Sequence, residues 1–352
     1  MTFYETESEV FVFHDETGKA GDEKLKGHII LFIPVNLRIY PKDKTLFDAE
    51  SSKKSLSKEL PSLDELFSKM WDLREKYNAD HKFHFKEISG KKWTKHNEAE
   101  RQLLLLGVDA LRNKRPKMFK SPLMCKMAVI FFPTPTPENL NGYGGNQKDE
   151  KRLRYNETIL RTLLKGALHY LYDQDNKVTV LKIITDGQPY HRKLSEVRIL
   201  WRLIEESLSG NLRDYVDIPI GAEIIHLESD HKKHKINSEE YIYANILQLA
   251  DMLLGSVIQS CLKGTKWQNL SPKIGDEVDD KKSIIAYPVK EMLDKRKRGK
   301  NFENSGHYKS FTISKAYTVN GKWQFESIMT KEIVIDKDSG NITLFDFMKG
   351  MT

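Results

Sequence analysis

The chain has 352 residues, of which 39% are hydrophobic, so it is long enough to bury a sizeable core in one large domain or two ordinary ones. Its 57 lysine and arginine residues against 50 aspartate and glutamate residues give a net charge of +7, which permits a polyanionic partner without requiring one. The two cysteines, Cys125 and Cys261, follow no metal-ligand spacing and allow at most one disulfide bridge. The sequence contains neither an apolar run of about 18 residues nor a signal-peptide pattern, so we expect a soluble, cytoplasmic protein without a membrane partner.

The chain opens with two predicted strands. Residues 10–13 form a short apolar run that ends in 14-HDE-16, and 17-TG-18 then supplies a turn. Residues 28–35 predict the next strand, antiparallel to the first. The polar, low-complexity stretch 42–60 predicts a solvated loop or insertion.

Helical and strand-like patterns alternate along the rest of the chain. Apolar residues at three-and-four spacing predict helices, and short runs of β-branched and aromatic residues predict strands. The predicted order is a helix at 63–73, a strand-like piece at 82–90, a helix at 97–113, a strand at 124–133, a helix at 150–172, a strand at 178–184, a helix at 197–208, a strand at 222–228 and a helix at 239–262. This order is typical of an α/β fold with a mixed sheet flanked by helices.

The last part of the chain, 265–352, is strongly polar. It carries the basic run 295-KRKRGK-300 and a predicted hairpin over 310–328 that turns at an Asn-Gly pair. We therefore expect a core over residues 1–264, interrupted by a helical insertion at about 36–113, and a basic C-terminal extension packed on that core.

Two aspartates are distinguished by their position in the predicted elements. Asp186 comes just after the buried strand 178–184, and carboxylates past the end of a central strand lie where α/β folds bind ligands. A cap or a turn former is the alternative interpretation of Asp186. Asp251 falls inside an apolar stripe of the last helix, between Leu247 and Leu254, where an unpaired charge is costly. It is therefore either a metal ligand or a buried aspartate that pairs with an arginine or caps a neighbouring element.

Gln248 and Gly255 lie on the same helix face as Asp251, three residues before it and four residues after it. Side chains at this spacing are neighbours on a helix surface. The pattern predicts that this face is open toward a partner.

Asp15, Asp186 and Asp251 together have the arrangement of a ribonuclease-H-like nuclease. The first strand and the strand after the first core helix are expected side by side, with a late helix packed against them, so the three carboxylates converge. Phosphodiester hydrolysis passes through a strongly anionic phosphorane, which two Mg²⁺ ions about 3.5–4 Å apart can stabilise. Because hard divalent cations prefer carboxylate oxygens, we predict that these three aspartates bind Mg²⁺ or Mn²⁺.

At these residues the chain resembles the bacterial domain of unknown function 3800 family. That family opens with a strand ending in Asp-Glu-Ser-Gly and closes its core with a Gln-x-Ala-Asp helix, and here the motifs read 15-DETG-18 and 248-QLAD-251. Thr17 stands where the family has serine. The resemblance spans most of the chain, including 295–314. It implies a ribonuclease-H-like fold, nuclease activity, and a role in phage defence or mobile-element biology.

The fourth acidic residue of the site is open between Glu16, Glu87 and Glu157. Glu16 matches the second letter of the family motif, but it points opposite to Asp15 if the strand continues. Glu87 lies three residues from His84. That histidine is either a catalytic base and ligand or an ordinary strand-edge residue.

Basic side chains are the candidates for binding phosphates. Lys86 lies in the same strand-like piece as the candidate histidine. The run Lys295, Arg296, Lys297 and Arg298 either binds phosphates non-specifically or is the exposed end of a helix.

The sequence therefore predicts a Mg²⁺-dependent nuclease that acts on DNA or RNA. The alternative is a catalytically weak module that binds nucleic acid or a partner on the same fold. A second copy of the chain and a partner protein of a defence system are the two protein partners that this prediction allows. The sequence has no Walker-type glycine-rich loop, which argues against an NTPase.

Overall fold

A computed structural model describes most of the chain. The residues it describes are 4–20, 25–41, 62–112, 116–134, 140, 143, 147–187, 196–210, 212–262, 267, 271–298, 310–319 and 322–328.

Strands from both ends of the chain form one sheet, and helices lie against it. The strands are β1 (Tyr4–Ala20), β2 (Leu25–Pro41), β3 (Lys126–Pro133), β4 (Asn176–Asp186), β5 (Val216–Asp217), β6 (Glu223–Leu227), β7 (Phe311–Val319) and β8 (Lys322–Ser327). The helices are α1 (Ser62–Tyr77), α2 (Lys95–Ala110), α3 (Lys148–Leu171), α4 (Glu196–Ser209), α5 (Glu239–Leu262) and α6 (Lys281–Arg298).

The sheet has the strand order β5-β4-β1-β2-β3-β7-β8, and β6 pairs with β4. β2 is antiparallel to both of its neighbours, β1 and β3. β4 runs parallel to β1, and β5 and β6 run parallel to β4. β7 joins β3 in parallel, and β8 pairs antiparallel with β7. The protein is therefore a mixed α/β fold, as the sequence predicts.

Apolar side chains cover both faces of the sheet, because successive residues of a strand point to opposite sides. Phe13 and Ile184 belong to one core, which also holds apolar residues of α1, α2, α5 and α6. Val12 and Ile183 belong to the other core, with apolar residues of α3 and α4. The helices thus form a layer on each side of the sheet.

Helix α5 is the most apolar helix of the first layer. Its segment Glu239–Cys261 has a mean hydropathy of 1.3 and is, among the described residues, the one helix long and apolar enough to cross a membrane. However, 83% of that segment is buried within the fold. It packs against β1 and β2, which is consistent with the core helix of a soluble protein.

The prediction of a strand-like piece at 82–90 is wrong. These residues are irregular and contain a single 3₁₀ turn, Phe85–Glu87. The physical reason lies in their hydrogen bonds, since the amides of Phe83 and Phe85 donate to side chains of α5 instead of to a neighbouring strand.

The described residues of the C-terminal part form more regular structure than their polar composition suggests. α6 follows no predicted pattern and contains Pro288, yet it packs against α5 and α2. The predicted hairpin is confirmed by the antiparallel pairing of β7 and β8, although its Asn-Gly turn lies outside the described residues, as does the polar stretch 42–60.

Candidate metal centre

Asp15 and Asp186 lie at the ends of two neighbouring parallel strands. β1 and β4 pair in a register that ends with His14 opposite Thr185, so the next residue of each strand is an aspartate. The side chain two residues earlier on each strand belongs to the core beneath α5. By strand alternation, both carboxylates face that helix.

Asp15 is the most buried of the three predicted ligands, with 4% of its surface exposed. Its Oδ1 accepts a hydrogen bond from the backbone N–H of Glu16 at 2.8 Å. Burial raises the pKa of Asp15 well above its usual range, and the charges of Asp251 and Asp186 raise this pKa further. Charges act in this way only over short distances. Asp186 and Asp251 are therefore near enough to Asp15 for their charges to affect its pKa.

Asp186 is held by the turn that follows β4. Its Oδ1 accepts hydrogen bonds from the N–H of Gly187 at 2.9 Å and from that of Ser229 at 3.1 Å. A Cβ on Gly187 would lie 3.1 Å from the backbone of Leu227, so the glycine allows β4 to end close to the loop after β6. Asp186 is thus a turn former as well as a member of the acidic cluster.

Asp251 contacts the irregular segment before α2. Its Oδ2 accepts a hydrogen bond from the N–H of Phe85 at 2.8 Å and lies 2.9 Å from Nδ1 of His84. Gln248 accepts a hydrogen bond from the N–H of Phe83 at 2.8 Å. Two amides spaced two residues apart on an extended segment thus meet two acceptors spaced about one turn apart on α5.

Gly255 lies one further turn along the same helix face. A Cβ at this position would lie 2.3–2.4 Å from atoms of the Phe85 side chain, so the aromatic ring packs directly on the helix backbone. Gln248, Asp251 and Gly255 therefore do open one face of α5 to a partner, and that partner is the chain's own segment 83–85.

Arg74 of α1 supports this face from behind, and no sequence pattern had singled it out. The arginine is buried and donates to the side-chain oxygens of Gln248 at 2.7 Å and Asn245 at 2.8 Å. Its guanidinium also lies 4.1 Å from the ring centre of Phe83. Burial lowers the pKa of Arg74 to about 10. Arg74 therefore binds Gln248 and not Asp251, for which the sequence allowed an arginine partner.

His84 lies at the partly exposed side of the cluster, with 29% of its side chain exposed. The hydrogen bond to Asp251 raises the pKa of His84 above its usual value, although burial opposes this effect. The charge of Glu87, which is exposed in the 3₁₀ turn, also raises this pKa. The local charges thus favour the protonated imidazole.

The two other candidates for a fourth acid lie on the far face of the sheet. Glu16 points away from Asp15 and lies 3.7 Å from Nδ1 of His28 on β2. Glu157 lies on α3, which covers the same far face, and pairs with Arg198 at 3.4 Å. Of the three acids left open by the sequence, Glu87 is the one on the side of α5.

A buried polar row beneath the aspartates also went unpredicted. His14 Nδ1 lies 3.2 Å from Oγ1 of Thr185, and His14 Nε2 lies 3.2 Å from Nδ1 of His28. These contacts join β4, β1 and β2 on the far face, one residue before Asp15 and Asp186. The row fixes the relative position of the strand ends that carry the two aspartates.

Lys86 is exposed in the 3₁₀ turn, two residues from His84, and its backbone carbonyl accepts a hydrogen bond from Nζ of Lys282 at 3.1 Å. A second lysine therefore lies beside the predicted phosphate-binding residue. The run 295–298 forms the last turn of α6, but its side chains lie outside what the structure describes.

Across the described part of the chain, no group of three or more His, Cys, Asp or Glu side chains is arranged so that it could hold a metal ion. The aspartates are therefore electrostatically coupled without forming a complete coordination sphere. The hydrogen bonds described above reach one oxygen of each carboxylate. These oxygens are Oδ1 of Asp15, Oδ1 of Asp186 and Oδ2 of Asp251.

No family model matches the chain, and no curated protein matches its sequence. The resemblance carried by 15-DETG-18 and 248-QLAD-251 therefore stays a prediction.

Proposed function

We propose that this protein is a divalent-metal-dependent nuclease with a ribonuclease-H-like fold, related to the domain of unknown function 3800 family. The observation that carries the proposal is that Asp15 and Asp186 end adjacent parallel strands on the side of α5, the helix that carries Asp251. Burial raises the pKa of Asp15, and the charges of the other two aspartates raise it further. Carboxylates that repel one another in a buried place are common at catalytic sites, where a cation offsets their charge.

The strand order supports the ribonuclease-H-like part of the proposal. β1 lies between its antiparallel neighbour β2 and its parallel neighbour β4, so the two strands that carry acids are adjacent in the sheet. The late helix α5 packs against β1 and β4. This is the layout that we expect from the positions of the three aspartates in the sequence.

The donor set fits Mg²⁺ or Mn²⁺. All three groups are carboxylates, and hard divalent cations bind oxygen ligands in preference to nitrogen or sulfur. Burial is the largest cause of the raised pKa of Asp15, and the negative charges of Asp251 and Asp186, which a cation would offset, raise this pKa further. When bound, the metal would supply positive charge to the reacting phosphate and lower the pKa of the attacking water.

The chain's own residues would then have distinct tasks. Asp15, Asp186 and Asp251 would bind the cation, and the N–H donors on one oxygen of each carboxylate fix the orientation of that carboxylate. His84 is held by Asp251 through Nδ1, which leaves Nε2 as the nitrogen that can exchange a proton with the substrate. The exposed Lys86 would contact a phosphate beside the scissile bond.

The test is cleavage of labelled DNA and RNA, single- and double-stranded, by the purified full chain with Mg²⁺, Mn²⁺ or EDTA. We expect metal-dependent cleavage of at least one substrate, and its loss in Asp186→Asn with the fold retained. Asp214→Asn is the matched control, since Asp214 is 55% exposed and lies in the turn before β5, at the other end of β4. Cleavage by Asp186→Asn at the parent rate would overturn the assignment.

Two observations favour the alternative, a binding module with a weak site. Asp251 already accepts the amide of Phe85, and the described residues hold no preformed metal group. A binding module would retain nucleic acid in the presence of EDTA and cleave none of the substrates with either metal. The same panel of substrates therefore separates the two functions.

A further inference from the structure

Helix α4 presents an apolar stripe to solvent. Among the described residues, eight large hydrophobic side chains are exposed, and three of them belong to this one helix of 14 residues. Val197 is 80% exposed, Trp201 is 55% exposed and Leu208 is 68% exposed. The opposite side of the helix, with Ile199 and Leu203, is buried in the core beneath it. The stripe is therefore a second apolar face, separate from the one that packs on the sheet.

The residues of the stripe have the same spacing whether α4 is followed from its N-terminus or from its C-terminus. Val197, Trp201, the half-buried Ile204 and Leu208 follow one another at intervals of four, three and four residues. In an antiparallel pair of such helices, Val197 lies opposite Leu208 and Trp201 lies opposite Ile204. A two-fold interface requires this kind of self-complementary surface.

The charges beside the stripe suit the same arrangement. Arg198 and Glu205 lie on the same flank of α4, one near each end. When two copies pack antiparallel, Arg198 of one helix faces Glu205 of the other, and the pair occurs twice. Opposite charges at these positions set the orientation of paired helices.

Nucleic acid is a poorer occupant for this surface. It would require unbalanced positive charge, whereas most of the bases beside α4 form ion pairs with acidic side chains. Arg161 is affected by the charges of Glu206 and Glu157 as well as by those of Arg202 and Arg198. Arg198 pairs with Glu157, Arg202 lies 2.9 Å from Glu205 and Lys165 lies 2.6 Å from Glu206. The surface is thus apolar at its centre and electrically balanced at its edge, which is typical of a protein interface.

We propose that α4 is a dimerisation surface, on which a second copy of this chain packs its own α4 in antiparallel orientation. A helix of 14 residues is about 21 Å long, so the contact is small and the dimer is weak and reversible. Trp201 lies near the centre of the stripe and is the expected anchor, since aromatic residues at the centre of an interface contribute most to affinity. This inference is independent of the proposed nuclease activity.

The first test is sedimentation of the full chain from about 1 µM to about 200 µM, where small interfaces associate. We expect a monomer–dimer equilibrium, and a dissociation constant at least about tenfold higher for Trp201→Ser. Ile220→Ser, a change at a 97% exposed residue outside α4, is the control and should match the parent. A monomer at all concentrations, or a dimer that Trp201→Ser leaves unchanged, overturns the proposal.

The second test fixes the orientation by disulfide cross-linking of mixed single variants, Val197→Cys and Leu208→Cys. The two native cysteines are buried, so they do not compete. The positions are 11 residues apart, about 16 Å along the helix. We expect the mixed disulfide to dominate, whereas a predominance of either homodisulfide, or no cross-link, contradicts antiparallel packing.

Discussion

Oδ2 of Asp251 lies 2.9 Å from Nδ1 of His84 and 2.8 Å from the backbone nitrogen of the next residue, Phe85. One carboxylate oxygen thus holds a titratable ring and the backbone of the segment that carries it. The same carboxylate raises the pKa of Asp15 on the neighbouring strand. Asp251 therefore has a structural task and an electrostatic one, and substitutions can separate them.

Replacing Asp251 with asparagine or alanine distinguishes these tasks by thermal melting in EDTA. Asparagine keeps an oxygen acceptor for the amide of Phe85 and removes a charge that repels Asp15, so we expect it to melt at or above the parent at a pH high enough for His84 to be neutral. Alanine leaves that partly buried amide without its acceptor, which costs about 1–3 kcal/mol. Both variants should lose the stabilisation that Mg²⁺ gives the parent by linkage. Equal damage by asparagine and alanine would mean that the ion pair with His84 is chiefly structural.

The pKa of His84 should fall when Asp251 becomes asparagine, because the hydrogen bond to the carboxylate is the largest cause of its elevation. A raised folded-state pKa gives stability that is fully present below the unfolded value of 6.5 and is lost as the pH rises through the folded value. NMR titration of the His84 ring in the parent and in Asp251→Asn measures the shift directly. Identical titration curves would rule out the proposed charge coupling.

Asp15→Asn should change the pH dependence of stability in the metal-free protein. Since the folded-state pKa of Asp15 is raised above 3.8, the folded protein keeps a proton that the unfolded chain has released. Asp15 therefore lowers the stability of the parent as the pH rises from 3.8 through the pKa that Asp15 has in the folded protein. We expect Asp15→Asn to melt higher than the parent at neutral pH in EDTA and to show a flatter pH profile. An unchanged profile, with the exposed Asp214→Asn as control, would show that Asp15 is not strained.

Gly255→Ala should destabilise the protein because its Cβ would lie 2.3–2.4 Å from atoms of Phe85. Overpacking of this kind costs about 1–3 kcal/mol. It would also push the Phe85 segment, and His84 with it, away from Asp251. Gly221→Ala is the matched control, since its Cβ meets nothing within 4 Å. Denaturant unfolding measures both changes, and equal stability of the two variants would contradict the close packing of Phe85 on α5.

The sequence predicted the main elements and the three aspartates because these depend on local patterns. Strand alternation and helical spacing can both be identified within a short stretch of sequence. Asp186 and Asp251 are charged residues next to apolar ones, which is also a local pattern. The residues between 82 and 90 were mispredicted because their alternation of Phe83 and Phe85 is typical of a strand. Their amides instead meet Gln248 and Asp251, more than 160 residues away. No local pattern records a contact over that separation.

The parts of the site that were missed also depend on long-range contacts. Arg74 is a charged residue among apolar residues of its helix face, which is the same kind of pattern that identified Asp251. Its hydrogen-bond partners lie on α5, far away in the sequence. His14 and Thr185 precede the two aspartates directly and join only when β1 and β4 pair. Helix α6 was hidden by its high charge and by Pro288, although packing against α5 and α2 stabilises it.

Anomalous diffraction from crystals soaked in Mn²⁺ tests the proposed metal centre most directly. We predict at least one anomalous peak bounded by the carboxylates of Asp15, Asp186 and Asp251, and its absence from Asp186→Asn crystals soaked in the same way. Mn²⁺ bound elsewhere on the protein, with no peak among these three carboxylates, would contradict the assignment.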